Sequence, residues 1–258
     1  VDIRILGAHS SELRGSRLAS LLIDDTLLID AGGVTSALSL PEQREISTVL
    51  LTHHHFDHTR DLITLAANAA NYWQGQLVVC GLPHTLDIVT RYLLDGVLYI
   101  NFLEHPSKLR PTVILEPIDP TTTKCIRDLQ ILALAVKHSV PAVGYQVTSP
   151  GGVSMFYTGD SSGELSECWQ HISPQLIITE ISGPDDRADW LKSVGHLCPA
   201  SLKEELQEFH RLKGYVPRVV VVHIGNSSER EIENEITRIA DDLGADISLG
   251  CEDMRLTL

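Results

Sequence analysis

The 258-residue sequence predicts an α/β sandwich folded as a single domain over residues 1–258. Short runs rich in Val, Ile and Leu recur along the whole chain, bounded by Gly, Pro and Asp. Amphipathic helical stretches fall between them, and no internal repeat, low-complexity tract or linker breaks the mixture. A chain this long buries a full core without disulfides or oligomerisation. With 43% hydrophobic and 21% charged residues, disorder, collagen and coiled coil are excluded.

Taken in order, strands are predicted at residues 3–6, then at 19–23 and 26–29 around the turn pair Asp24-Asp25. Further runs at 49–52, 77–80, 132–136, 144–148, 153–157, 176–179, 219–222 and 247–249 have the length and β-branched content of strands, many of them buried on both faces. Helices are predicted from about 62 to 72 and from about 85 to 94. A third follows Pro199, suited to a first helical turn, with Leu202, Leu206 and Phe209 on one face. A fourth carries Ile232, Ile236, Ile239 and Leu243 after Ser228-Glu229-Arg230-Glu231, which matches a capping box.

The balance of 20 Lys+Arg against 34 Asp+Glu gives a net charge of −14, a field that repels long polyanions and argues against a general nucleic-acid binder. A small anion remains compatible if its site brings its own positive charge. Cys80, Cys125, Cys168, Cys198 and Cys251 are widely spaced, odd in number and form no C-x-x-C pair, which fits free thiols in a reducing compartment. No apolar run approaches the ~18 residues of a membrane span. The first residues read as a strand rather than a signal peptide, and the expected location is the cytoplasm.

The strongest chemical signal is Thr52-His53-His54-His55-Phe56-Asp57-His58, directly after a buried strand. It holds H-x-H-x-D-H, and imidazole with carboxylate is the ligand chemistry of zinc and other borderline metals. His53 and His55 can share one side of an extended segment, while Asp57 and His58 diverge toward a neighbouring position, a pattern that suggests two metals. Four later strands each lead to a polar residue able to serve such a site: His138, Asp160, Glu180 and His223. Rigid strand ends are where α/β folds place functional groups. His54 is expected to point away from the metals. His9, in the loop after the first strand, is a further histidine that could approach the site. His84, His105, His171 and His210 read as surface or structural, and Cys198 as a buried cap. No G-x-S-x-G, P-loop or G-x-G-x-x-G occurs.

H-x-H-x-D-H, an isolated His, a Gly-Asp and a late His after a strand together resemble the metallo-β-lactamase superfamily. Leu28-Ile29-Asp30-Ala31-Gly32 matches its early Asp turn, so the resemblance covers nearly the whole chain. It implies a four-layer αβ/βα sandwich of two mixed sheets with a dinuclear centre at one edge. By the resemblance, His53, His55 and His138 take one metal, Asp57, His58 and His223 the other, and Asp160 bridges. Zinc is the expected metal, with manganese and iron as alternatives.

A narrower resemblance links His138-Ser139-Val140-Pro141, Tyr157-Thr158-Gly159-Asp160-Ser161 and Ser193-Val194-Gly195-His196-Leu197-Cys198-Pro199 to class II cyclic-nucleotide phosphodiesterases. Glu180 and His196 occupy the places of the proton-relay pair of ribonuclease Z. The resemblance implies a phosphodiesterase acting on a small anionic phosphodiester such as a 3′,5′-cyclic nucleotide. The metals would activate the attacking hydroxide, Asp57 would serve the reaction as well as the metal, and His196 with Glu180 would protonate the leaving group. The pattern departs from the family at Asp61, where a Gly is usual, at Ser161-Ser162-Gly163, at Cys198, and at Ile224-Gly225-Asn226, which replaces Leu-Lys-Pro and removes a Lys. The rival readings are a tRNA 3′ endonuclease, for which no basic arm is visible, another ester, lactone or thioester hydrolase, and a di-iron redox or sensor protein. The apolar residues 97–103 suit a pocket or a homodimer face.

Overall fold

The computed structural model describes residues 1–258. Its first half forms β1 (Asp2–Gly7), β2 (Ser20–Ile23), β3 (Leu27–Ile29), β4 (Thr48–Leu50), β5 (Leu77–Gly81), the small hairpin β6 (Pro106–Ser107) and β7 (Arg110–Pro111), and β8 (Val113–Pro117). Its second half forms β9 (Thr123–Ile126), β10 (Leu129–Val136), β11 (Ala142–Thr148), β12 (Ser154–Tyr157), β13 (Leu176–Glu180), β14 (Arg218–Val222) and β15 (Ile247–Leu249), and β16 (Arg255–Thr257) then returns to the first half. Two seven-stranded sheets result, ordered β16-β1-β2-β3-β4-β5-β8 and β15-β14-β13-β12-β11-β10-β9. In both sheets antiparallel pairs give way to parallel ones, at β3–β4 in the first and at β12–β13 in the second.

Three layers of apolar contact follow from strand alternation. Ile3, Ile5, Leu21 and Ile23 of the first sheet face Ile131, Tyr145, Ile178 and Val220 of the second. The opposite faces bury Leu22, Leu28 and Val49 under one helical layer and Ile177, Val219 and Val221 under the other. This is the four-layer α/β arrangement that the sequence predicts. Two hydrogen bonds stitch the sheets together beside the future site. Tyr145 Oη, fully buried, donates to the Leu51 carbonyl (2.8 Å), and Val143 N donates to the Thr52 carbonyl (3.0 Å). The segment that leaves β4 is thereby held by the opposite sheet. No helix is long and apolar enough to cross a membrane.

Of the strands missed by pattern reading, β6 and β7 form the small hairpin, and β8, β9 and β16 lie at the edges of the two large sheets. There one face alone meets the core, so β16 buries only Leu256 and β9 buries nothing fully, and no apolar run is needed. The predicted capping box at Ser228 does not form, although the helix Glu229–Leu243 does, and Ser228 makes no side-chain cap. A reciprocal pair forms instead at Ser39, whose N–H and hydroxyl both donate to Glu42 at the start of the short helix Leu40–Glu45. The predicted helix at 62–72 is α-helical over Leu62–Asn68 and widens to a π-turn over Ala69–Trp73. The apolar row at 97–103 is mostly on the surface: Val97 is 81% and Leu98 66% exposed, while Phe102 is buried.

Glu252 near the C-terminus latches the loop after β1. Its Oε1 accepts from His9 Nδ1 (2.7 Å), Arg17 N (2.9 Å) and Ala8 N (3.3 Å). Burial pushes the Glu252 carboxyl up, but the bonds from His9 and Arg17 outweigh it and hold it at about 2, below the ordinary 4.5. A carboxyl depressed on folding contributes stability above its unfolded pKa and loses it as pH falls toward its folded one. Glu252→Ala is expected to cost about 1.5–3 kcal/mol at pH 6, read by urea denaturation. The gap to wild type should shrink as pH drops from about 4.5 toward 2.

Candidate metal centre

The first four candidate ligands follow β4. Thr52 and His53 are fully buried, and the chain turns at His55 into the short helix Phe56–Thr59, which presents Asp57 and His58. His138 comes two residues after β10, Asp160 follows β12 through Gly159, Glu180 ends β13, and His223 follows β14. The structure brings all seven proposed ligands to one edge. His53, His55, His138 and Asp160 form one group and Asp57, His58, Asp160 and His223 a second, with ligand atoms in each group within 4.8 Å of one another. Asp160 belongs to both. Its Oδ2 lies 3.3 Å from His58 Nε2, 3.4 Å from His223 Nε2, 3.9 Å from His53 Nε2 and 4.0 Å from His138 Nε2. Asp57 Oδ2 is 3.0 Å from His223 Nε2, and His55 Nδ1 is 3.2 Å from His138 Nε2.

Each of four rings is tied at Nδ1 by an acceptor, which fixes the tautomer. His58 Nδ1–H donates to Asp30 Oδ2 (2.8 Å), and His138 Nδ1–H to the Gly195 carbonyl (2.8 Å). The Thr52 hydroxyl donates to Asp30, so its oxygen accepts from His53 Nδ1–H at 3.0 Å. His223 Nδ1–H reaches the Ser182 hydroxyl at 2.8 Å. Each Nε2 is then the ring atom turned into the centre. His53 Nε2, His58 Nε2 and Asp160 Oδ1 are buried there with no hydrogen-bond partner. Inward lone pairs on buried, unpartnered atoms around two carboxylates are what a pair of divalent cations would satisfy, so the residues fit the expected metals.

The electrostatics agree. Burial lowers His53 well below the ordinary imidazole value. Burial also pulls His58 and His223 down, but Asp160 outweighs it and raises both, helped by Asp30 at His58 and by Asp57 at His223. Burial raises the Asp57 carboxyl, but His223 and His58 hold it at about 2. Cations therefore have ionised carboxylates waiting for them. Strain is also stored here, since His223 and Asp30 both sit at positive φ, 56° and 58°.

Beside the second group lies Glu180 with His196. Glu180 is fully buried, and its Oε1 accepts from His196 Nδ1 (2.9 Å), Leu197 N (3.1 Å) and Ser161 N (3.2 Å). Burial lowers His196, yet the charge and hydrogen bond of Glu180 prevail and raise it to about 9. The other histidines stay outside. His54 packs edge-on against His84 at 5.2 Å. His9, which the sequence brought near, is held by Glu252. Cys198 is the buried N-cap residue of the helix Pro199–Lys213. Asp61 has a structural place, accepting from Thr35 N and Oγ1 (2.8 and 2.7 Å). Thr52 and Gly195 stand inside motifs read for their histidines, and Ser182 carries no spacing signal, so the sequence does not mark any of the three as a supporting group. Asp30 is visible only as a turn.

The profile of the beta-lactamase superfamily domain matches residues 26–224. The chain belongs to the beta-lactamase superfamily. It is similar to the ribonuclease Z of Methanopyrus kandleri, 29% identical over 127 residues, and to that of Treponema pallidum, 24% identical over 169 residues. These alignments take in 48% and 62% of this chain but 40% and 51% of the relatives, so it spans about half the length of the curated relatives it matches. Among solved structures it is similar to unliganded yeast PDE1 (TM-score 0.84, 17% identity, 100% of this chain and 99% of the other). It also resembles the metallo-beta-lactamase fold protein YhfI of Bacillus subtilis (0.80, 17%, 99% and 98%) and human tRNase Z, short form (0.72, 17%, 100% and 99%). These likenesses establish the metallo-β-lactamase fold. Within that fold the chain carries a His/Asp cluster suited to divalent metal.

Two outcomes check the centre. Adding zinc or manganese at a hundredfold excess over Kd should raise Tm by about 5–10 °C, reversibly with chelator, and Asp160→Ala should abolish the rise. Gly195 has φ 93°, and a Cβ there would stand 2.7 Å from His138 Nδ1, so Gly195→Ala should weaken metal retention measured by elemental analysis after dialysis.

Proposed function

We propose that this protein is a metal-dependent phosphodiesterase acting on small phosphodiesters, 3′,5′-cyclic nucleotides among them, with His196 as general acid. The observation that carries this reading is the buried Glu180 carboxylate bonded at 2.9 Å to a partly exposed His196 beside the ligand cluster. The centre would be held by His53, His55 and His138 on one side and Asp57, His58 and His223 on the other, with Asp160 between them. When bound, two divalent ions would supply an activated water and screen the charge of the phosphoryl oxygens.

The chain's own part is proton delivery and positioning. Glu180 takes Nδ1–H of His196 and favours the imidazolium, which leaves Nε2–H as the proton for a departing alkoxide oxygen. Asp57, held ionised, orients His223 through its 3.0 Å contact. Ser161 N–H and Leu197 N–H fix Glu180 from two sides, so the acid pair needs no reorganisation when the leaving group arrives. A net charge of −14 without a basic arm favours a small substrate over tRNA. The likeness to ribonucleases Z keeps a tRNA 3′ endonuclease as the second reading. Five free cysteines, two of them exposed, support a reducing, cytoplasmic setting.

The test is turnover of bis(p-nitrophenyl) phosphate and cyclic nucleotides by protein of measured metal content. His196→Ala is expected to lower kcat by about 10²–10⁴-fold with metal content unchanged, and Glu180→Gln to lower it comparably. Full metal loading with no cleavage of any phosphodiester would overturn the reading. Cleavage of precursor tRNA alone would establish the second.

A further inference from the structure

Ser182 lies two residues beyond Glu180, and its hydroxyl meets three groups of the site at once. Oγ is 2.7 Å from Glu180 Oε2, 2.8 Å from His223 Nδ1 and 3.1 Å from His196 Nδ1. A serine hydroxyl has one proton and two acceptor positions, so all three contacts can be made together in only one sense. An ionised carboxylate only accepts, so the single proton goes to Glu180. The oxygen must then accept from both rings, which places a proton on Nδ1 of His223 and on Nδ1 of His196. The first consequence is that His223 is held at Nδ1 and turns Nε2 to Asp57 and Asp160. The second is that His196 shares its Nδ1–H between Ser182 and Glu180 Oε1, leaving Nε2 to face a substrate.

The position of this hydroxyl is built by the same segments it serves. Ser182 N donates to the Leu197 carbonyl at 3.3 Å, next to His196. The Ser182 carbonyl is approached by Gly225, two residues after His223, so closely that a Cβ at Gly225 would stand 2.6 Å from it. A side chain at 225, including the Lys that the family resemblance places there, would displace Ser182 from both histidines. The glycine and the serine therefore make one arrangement.

We propose that Ser182 is a positioning residue that couples the ligand His223 to the acid pair Glu180–His196 by fixing the Nδ1–H tautomer of both rings. The proposal rests on the phosphodiesterase reading for the role of His196, but its effect on His223 does not depend on which substrate is cleaved.

The experiment compares wild type, Ser182→Ala and Ser182→Thr by three readouts: histidine ring tautomers from long-range ¹H–¹⁵N NMR of the zinc-loaded protein, zinc affinity by competition with a chromophoric chelator, and kcat and KM on bis(p-nitrophenyl) phosphate. Ser182→Ala should weaken binding of one of two zinc ions about 10–100-fold and lower kcat by a similar factor at nearly constant KM. It should also lose the uniform Nδ1–H state of His223. Ser182→Thr, which keeps the hydroxyl, should stay within a few-fold of wild type in all three. Wild-type tautomers and zinc affinity in Ser182→Ala would overturn the proposal, and so would equal impairment of both variants, which would point to shape rather than the hydroxyl. Absence of phosphodiester turnover in wild type would sink the functional reading while leaving the tautomer and affinity results to judge Ser182.

Discussion

Four imidazole rings can turn Nε2 toward one carboxylate only because something else holds the other nitrogen of each ring. Here the holders are a threonine hydroxyl, a serine hydroxyl, an aspartate and a backbone carbonyl, supplied by Thr52, Ser182, Asp30 and Gly195. Without them each ring could flip or change tautomer, and Nε2 would no longer be held toward Asp160. The sandwich makes this constraint affordable. Asp30 and Thr52 follow strands of the first sheet, Ser182 follows a strand of the second, Gly195 ends the helix Ala188–Val194, and Tyr145 with Val143 binds the two sheets together at the segment from Leu51 to Thr52.

The acidity of the protein and its proposed substrate are reconciled on the same ground. Long-range repulsion from a charge of −14 is screened over about 8–10 Å in physiological salt. A small anion entering the site would meet the local field of the cations, when bound, and of His196. A long polyanion must also lie along the acidic surface.

How much of this was legible in the sequence follows from what each residue does. Residues that carry chemistry themselves are conspicuous: His53 to His58 cannot be explained by packing, and His138, Asp160, Glu180 and His223 sit where apolar runs stop. Residues that act by holding others are silent. Ser182 looks like any loop serine, Gly195 stands in a motif that draws the eye to His196, and only the approach of His223 and His138 in space shows what each holds. In the fold, central strands buried on both faces announce themselves by continuous Val, Ile and Leu, as in β14. The edge strands β9 and β16 touch the core through one face and look like loops. The Ser228 box shows the opposite failure, a correct local pattern whose serine backbone, at φ −124° and ψ 7°, does not adopt the capping geometry.

The ligands are distributed along the chain with a consequence for how the protein is made. Asp57 and His223, in contact at 3.0 Å, are 166 positions apart. A ribosome that has released β1 to β8 has therefore exposed His53, His55, Asp57 and His58 without the ligands that complete their groups. The centre closes when β14 has been synthesised and its strained terminal turn at His223 has docked. The C-terminal residues finish the work, because Glu252 secures the loop from Ala8 to Arg17 that pairs with the chain just after that turn. The ligand set is thus complete only once the chain has been made as far as His223, and the strands β15 and β16 that finish the two sheets come later still.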